Sequence, residues 1–270
     1  MIRNVLSIAG SDPSGGAGVQ ADLKALSARG VYGMAVLTAL TVQNTQGVSG
    51  VHLVPARFVA DQIRAVFADV KVDAVKIGMI ATAEIADAVA DALAPHQDVP
   101  IVLDPVMVAK GGAALLDVSA VDVLTRRLLP LATLLTPNLP EAAALLKEEA
   151  AESRGQMADQ ADRLRGFGPV AVLVKGGHLG GVESPDVLAT VSGVTWFDAK
   201  RVPTANTHGT GCTLSSALAA ELAKGASLEE AVTRAKAYLA GAVAHASGLR
   251  VGSGHGPVHH FHALWSERSV

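Results

Sequence analysis

Residues 4–30 read NVLSIAGSDPSGGAGVQADLKALSARG. The opening, NVLSIAG at 4–10, is a short β-branched apolar run of strand type. A loop carrying Gly10, Gly15, Gly16 and Gly18 comes after it. GVQADLKALSARG at 18–30 then has helical spacing and stops at Gly30. Strand, glycine loop and helix together form the repeating unit of a parallel sheet. The same order recurs downstream, in strand-like runs MAVLTALTVQ at 34–43, AVKIGM, PIVLDPVM, ATLLTPN and VAVLVKGG. Helical patterns separate them, among them PARFVADQIRAVFADV at 55–70, with a proline at the helix entry, and TAEIADAVADALA. Strands that are apolar on both faces predict an α/β fold, a mostly parallel sheet flanked by helices with right-handed crossovers. One stretch departs from this pattern. DVLATVSGVTWFDAKRV at 186–202 holds two strand-like runs around Ser192-Gly193, a hairpin signal. A helical third runs from Gly211 to about Ala246. No linker, low-complexity tract or repeat divides the chain, so residues 1–270 are read as one domain.

Bulk composition narrows the function. A chain of 270 residues can bury roughly 75% of its unfolded surface and needs no disulfide or metal to hold it together. Its 50% hydrophobic content comes from alanine and valine, with aromatics at only 3%. The 22 basic and 25 acidic residues leave a net charge of −3, and no basic stripe stands out, which argues against nucleic acid. No apolar run reaches the ~20 residues of a membrane span. The start, MIRNVLSIAGSDPSGG, lacks the apolar core of a signal peptide. Cys212 is the single cysteine, so no intrachain disulfide framework exists. These features together predict a cytoplasmic protein.

Open α/β sheets bind ligands outside the carboxyl ends of their strands. The residues at those ends are Gly10, then Gln43 and Asn44, then Gly78 and Met79, then Asp104, Val106 and Met107, then Asn138 and Glu141, then Lys175 to His178. Each has two readings. The glycine loop at 10–18 is either a flexible turn or a place where backbone N–H groups approach a ligand. It is neither a Walker A loop nor a dinucleotide fingerprint, because the spacings differ. Asn138-Leu-Pro-Glu141 has capping-box spacing, and its carboxylate can also serve a magnesium ion. Asp104 before Pro105 can end a strand, and Lys175 can face solvent or neutralise a phosphate.

NTHGTGC at 206–212 is more informative. Gly209-Thr210-Gly211 can turn tightly and aim successive N–H groups at one point, where the helix behind adds its positive pole. That makes an anion hole suited to a phosphoryl group in transfer. A helix start also lowers a cysteine pKa, while the plain reading of Cys212 is a small buried thiol. His255, His259, His260 and His262 lack a structural-zinc pattern and read as a surface segment. The run 146–165 reads as a charged, solvated helical region.

IAGSDPSGGAGVQADLKALSARGVYGM, TALTVQNTQGV, KIGM, LDPVMVAKGG, TPNLPEA, VKGGH and NTHGTGC, taken in order, resemble the hydroxymethylpyrimidine/phosphomethylpyrimidine kinases of thiamine biosynthesis. That family is a branch of the ribokinase-like superfamily, and the resemblance runs from Val5 to about Phe261. It implies a ribokinase-like three-layer sandwich and a homodimer that uses ATP and Mg²⁺. It also implies two successive phosphorylations of a hydroxymethylpyrimidine. By position, Gln43 hydrogen-bonds the pyrimidine, and Gly10, Asp22, Met79 and Val106 lie near it. Lys175 and Asn138 meet the ATP phosphates, and Glu141 and Asp104 serve the metal. Gly209, Thr210, Gly211 and Cys212 form the anion hole and catalytic corner with Lys175. The loop 107–112, MVAKGG, reads as a lid with Lys110 as a phosphate contact. Most ribokinase-like sugar kinases carry an aspartate base where this chain has Cys212. A pyridoxal kinase would share this fold and corner, although Gln43 within TVQNTQGV favours the pyrimidine. Two further classes are a cysteine hydrolase pairing Cys212 with His208, and a non-catalytic pyrimidine-binding protein.

Overall fold

The computed structural model describes residues 1–108 and 118–265. Its first unit agrees with the sequence reading, with β1 (Asn4–Ala9), the glycine loop, α1 (Gly18–Ala28) and β2 (Tyr32–Leu37) parallel to β1. The next step differs from the single strand expected over 34–43. The chain leaves the sheet at Thr38, whose hydroxyl donates to Met79 O at 2.7 Å and whose N–H donates to Ala9 O at 3.1 Å. β3 (Ala39–Asn44) then pairs with β4 (Gly47–Leu53) in a separate antiparallel ribbon. The sequence pattern predicts neither the break nor β4.

The remaining elements are α2 (Ala56–Asp69), β5 (Ala74–Ile77), α3 (Ala83–Leu93), β6 (Ile101–Leu103), α4 (Val118–Val123), β7 (Leu134–Leu135) and α5 (Leu139–Leu146). They continue with α6 (Arg154–Arg165), β8 (Ala171–Lys175), β9 (Asp186–Thr190), β10 (Gly193–Phe197), α7 (Thr210–Ala223) and α8 (Leu228–Ala244). The eight-stranded sheet has the order β10-β9-β8-β7-β6-β5-β1-β2. From β2 to β8 all neighbours are parallel, and the expected hairpin β9–β10 adds the antiparallel edge.

Successive strand residues face opposite layers, because side chains alternate along a strand. Leu6, Ile8, Ile77 and Leu103 pack against α2, α3, α5 and α6. Val5, Ala74, Val102 and Leu134 pack against α1, α7 and α8. Burying a Leu or Ile side chain contributes roughly 1.5–3 kcal/mol, so these two apolar layers carry the fold. Small residues fill α7, whose Ala217, Ala219 and Ala220 are buried, so this helix lies close to the sheet. That closeness brings its first turn over the carboxyl ends of β5 and β6.

The histidine-rich end is not the surface segment expected. His255 is exposed, but His260 is buried and His259 and His262 are partly buried. The Thr213 hydroxyl donates to Gly209 O at 2.7 Å, so the 3.1 Å contact to His260 Nε2 has the ring N–H as donor. Burial, with Lys24 and His259 nearby, pushes His260 down to about 4. The folded value lies below the unfolded one of about 6.5. Its stabilisation is therefore complete above pH 6.5 and is lost as pH falls towards 4, up to about 3 kcal/mol. Urea melts at pH 7.5 and 4.5 are expected to show a larger acid loss in the natural protein than in His260→Asn; equal losses would contradict this.

Candidate active site

The carboxyl ends of the parallel strands open onto two adjoining cavities. The first, about 590 Å³, lies against β1, β3, β5 and the start of α7. The second, about 360 Å³, reaches between α8 and the hairpin side of the sheet. Asn138, Lys175, His178, Thr207, Thr210 and Gly211 line both. The shared wall is therefore the glycine corner with Lys175.

Gly209 starts α7 with φ of 76°, in the left-handed region. A Cβ there would lie 1.8 Å from Gly16 O, so the corner and the first glycine loop touch backbone to backbone. Thr210, Gly211 and Cys212 form the first turn of α7, and N–H groups of a first turn have no intrahelical acceptor. They give the junction of the two cavities a positive pole. Cys212 also accepts a backbone hydrogen bond from Gly18, the first residue of α1. The sulfur thus sits between two helix starts.

Charge is concentrated beside this corner. Lys175 Nζ, at the end of β8, donates to Asp104 Oδ1 at 2.7 Å and lies 4.0 Å from Glu141 Oε2. Asp104 also accepts from Thr136 and Ser215, each at 3.4 Å. The Asn138–Glu141 capping box is present, with both of its hydrogen bonds at 2.8 Å. The structural and functional readings of that motif coexist, because Asn138 and Glu141 also line the first cavity. Burial pushes the Glu141 carboxyl up to about 7 and Asp104 adds to this, against the pull of Lys175. Burial opposes the Lys175 charge, but Asp104 and Glu141 outweigh it and hold that ammonium above its usual value.

Gly10, Gln43, Met79, Val106, Cys212 and Lys175 all line the first cavity. A bulge between Val42 and Gln43 in the β3–β4 pairing sets where Gln43 meets it. Lys110, and with it most of the expected lid, lies outside the described residues. Asp22, expected near the substrate, lies behind the cavity wall rather than on it. Its carboxylate is fully buried and accepts from Ser7 Oγ at 2.6 Å, Ser216 Oγ at 2.8 Å and Lys76 Nζ at 2.9 Å. It neutralises Lys76, which stands between it and the cavity. Of the two readings of the thiol, burial prevails. Two helix starts suggest a lowered pKa, yet burial pushes Cys212 up to about 11, only partly offset by Lys76. His208 is not turned to Cys212 as a hydrolase would need; its Nε2 meets Asp12 Oδ2 at 2.8 Å.

Sequence reasoning missed Lys76 and Asp12 as charged groups at the cavity wall, and it did not pair His208 with Asp12. A signal existed for Lys76, since a lysine inside AVKIGM has no water to reach if both faces of the sheet are covered. Asp12 accepts from the Ser14 hydroxyl and the Ala17 N–H at 2.7 and 2.8 Å. Burial raises this carboxyl, but His208, Ser14 and Ala17 together hold it below the usual range. Asp12 and His208 therefore tie the glycine loop at 10–18 to the glycine corner at the start of α7.

Comparison with known proteins agrees with this geometry. The sequence model of the phosphomethylpyrimidine kinase family matches residues 12–259. A hydroxymethylpyrimidine/phosphomethylpyrimidine kinase of Salmonella typhimurium is 54% identical over 97% of this chain and 98% of its own. The enzyme of the same name from Escherichia coli is 53% identical over the same shares, 97% and 98%. A pyridoxal kinase of Bacillus subtilis, solved as an ADP complex, superposes with a TM-score of 0.90 at 34% identity, over 98% of this chain and 100% of that one. The chain belongs to the phosphomethylpyrimidine kinase family, built on the ribokinase-like fold.

Proposed function

We propose that the protein, acting as one kinase domain over residues 1–270, transfers the γ-phosphoryl group of ATP to the hydroxymethyl oxygen of 4-amino-5-hydroxymethyl-2-methylpyrimidine, and then phosphorylates the monophosphate. One observation carries this reading. Two cavities share a wall made of a helix start and Lys175, so a nucleotide in one presents its terminal phosphate to an acceptor in the other. Gln43 offers an amide donor and acceptor, which match an aminopyrimidine edge. The Lys236 ammonium, ion-paired with Asp186, lies in the second cavity together with Leu214, Leu239 and Val243. That combination suits a nucleotide base and sugar.

In the first transfer the hydroxymethyl oxygen bonds to the γ-phosphorus. The bond from that phosphorus to ADP breaks, and ADP leaves with the electron pair. The hydroxyl proton passes to the Cys212 thiolate. Lys175 and the first N–H groups of α7 hold the charge on the phosphoryl oxygens. In the second transfer the nucleophile is already a phosphate anion. Asp104 and Glu141 fit a magnesium ion. They are two buried carboxylates facing one ammonium, and Mg²⁺ is usually held by one or two carboxylates plus substrate phosphates. Such an ion neutralises charge on the triphosphate.

Support for a homodimer lies in the β3–β4 ribbon. Leu40 and Val42 of β3 are exposed on one face of the ribbon, and Val51 and Leu53 of β4 on the other. Apolar side chains at this density on a two-stranded ribbon suit burial against a second copy. A mass of two chains in sedimentation equilibrium checks it. Among the described residues no helix is long and apolar enough to cross a membrane. A single cysteine and a net charge of −3 support placing the protein in the cytoplasm.

Pyridoxal is the competing acceptor, since the ADP-bound neighbour is named for it. Comparing kcat/KM for the hydroxymethylpyrimidine and for pyridoxal tests the choice. The pyrimidine is expected to lead by about tenfold or more, the worth of one well-placed hydrogen bond. A preference for pyridoxal would overturn the assignment.

A further inference from the structure

Lys76 is a charged side chain without solvent exposure, in the middle of a four-residue strand whose other members are Ala74, Val75 and Ile77. It shares its face of β5 with Ala74, the face covered by α1 and α7. Its ammonium donates to both Asp22 oxygens at 2.9 Å. Asp22 is held in turn by Ser7 of β1 and Ser216 of α7. Desolvating such a pair costs several kcal/mol per ion, and apolar residues of equal volume would often serve stability as well or better. The cluster therefore needs a reason other than stability.

Its position supplies one. Lys76 reaches the wall of the first cavity, as does Cys212. Cys212 and Ser216 stand one turn apart on the same face of α7. Ser216 is bound to Asp22, so that face of α7 is turned onto the Lys76–Asp22 cluster. Gly78 leaves room for the ammonium, since a Cβ there would lie 2.7 Å from Nζ. We propose that Lys76 is a positioning residue for the first phosphoryl transfer: its ammonium, anchored by Asp22, fixes a positive charge beneath Cys212 so that the sulfur can carry negative charge until it takes the substrate's hydroxyl proton.

This role rests on the function proposed above. The charged groups acting on the sulfur are Lys76 from β5, Asp22 from α1, Asp104 after β6 and Lys175 from β8. Among these charges Lys76 has the largest single effect on the thiol and lowers it, while Asp22 and Asp104 act the other way. Asp22 keeps Lys76 charged despite its burial, holding it above its usual value. The pair thus presents an oriented dipole to Cys212.

The test uses Lys76→Met, Lys76→Arg and the double variant Asp22→Asn/Lys76→Met, which removes both charges if the single variant does not fold. Two readouts apply. One is the rate of iodoacetamide alkylation of Cys212, the only cysteine, between pH 7.5 and 9.5. The other is the ratio of first-transfer to second-transfer kcat. Loss of the ammonium is expected to slow alkylation about tenfold, the equivalent of one pKa unit. The ratio is expected to fall at least about tenfold, with Lys76→Arg recovering much of it. An unchanged ratio, or an equal loss in both transfers with unchanged alkylation, would show the cluster to be structural and overturn the proposal. Alkylation needs no substrate, so absence of any transfer in the natural protein would sink the function and leave the Lys76–Cys212 coupling separately decided.

Discussion

Replacing Gly209 with alanine is expected to lower kcat for both transfers by about a hundredfold to a thousandfold, the range seen when one oxyanion donor is lost. Gly209 has φ of 76°, and a Cβ would sit 1.8 Å from Gly16 O. An alanine there must push the 10–18 loop away or rotate the first turn of α7. Either movement swings the N–H groups of Gly211 and Cys212 away from the junction of the two cavities, where the proposed function has them hold the phosphoryl oxygens. The left-handed conformation adds a strain cost of about 1–3 kcal/mol, so the melting temperature should fall as well. Steady-state kinetics on both substrates check the point. Near-natural kcat for either would show that the corner does not hold the transferring group.

Cys212→Ala is expected to behave differently. The first transfer should fall by about 10² to 10⁴, the usual worth of a general base. The second should change by only about a fewfold, because its nucleophile carries no proton that must be removed. With the thiol pushed up to about 11, its thiolate is about one part in ten thousand at pH 7. First-transfer kcat in the natural protein should therefore rise with pH from 7 to 9, while the second stays comparatively flat. Equal losses in both transfers on Cys212→Ala, with both substrates assayed separately, would remove the base role.

The layers of the fold were legible because their cause is local. Apolar β-branched runs succeeded by glycine and a helical period recur along the chain, and the hairpin at 186–202 announced itself at Ser192-Gly193. The departure of β3 was not legible. MAVLTALTVQ contains no glycine or proline, and the break at Thr38 is made by Met79 O and Ala9 O, partners distant in sequence. A weaker signal lay in TVQN, where Thr41 and Gln43 alternate with exposed Val42, as in a ribbon open on one side.

Most of the candidate site was readable from the strand ends, since Gly10, Gln43, Met79, Asp104, Val106, Asn138, Glu141, Lys175 and Cys212 meet around one cavity. Its electrostatics were not readable in the same way. Whether a helix start or burial governs a thiol depends on how deeply it is packed, and packing is a tertiary property. The family resemblance implies Asp22 near the substrate, whereas its geometry ties it to a lysine in β5. His260 reads as surface because its histidine cluster lacks a zinc pattern, yet the segment 259–260 bonds to α7 and α8.

Double phosphoryl transfer on one pyrimidine is the central claim. Its most direct measurement is a phosphorus NMR time course with ATP, Mg²⁺ and 4-amino-5-hydroxymethyl-2-methylpyrimidine. A monophosphate ester signal is expected to rise first and then give way to the two coupled signals of a diphosphate ester, while ADP accumulates. ADP without either ester, or a monophosphate that persists with ATP in excess, would contradict it.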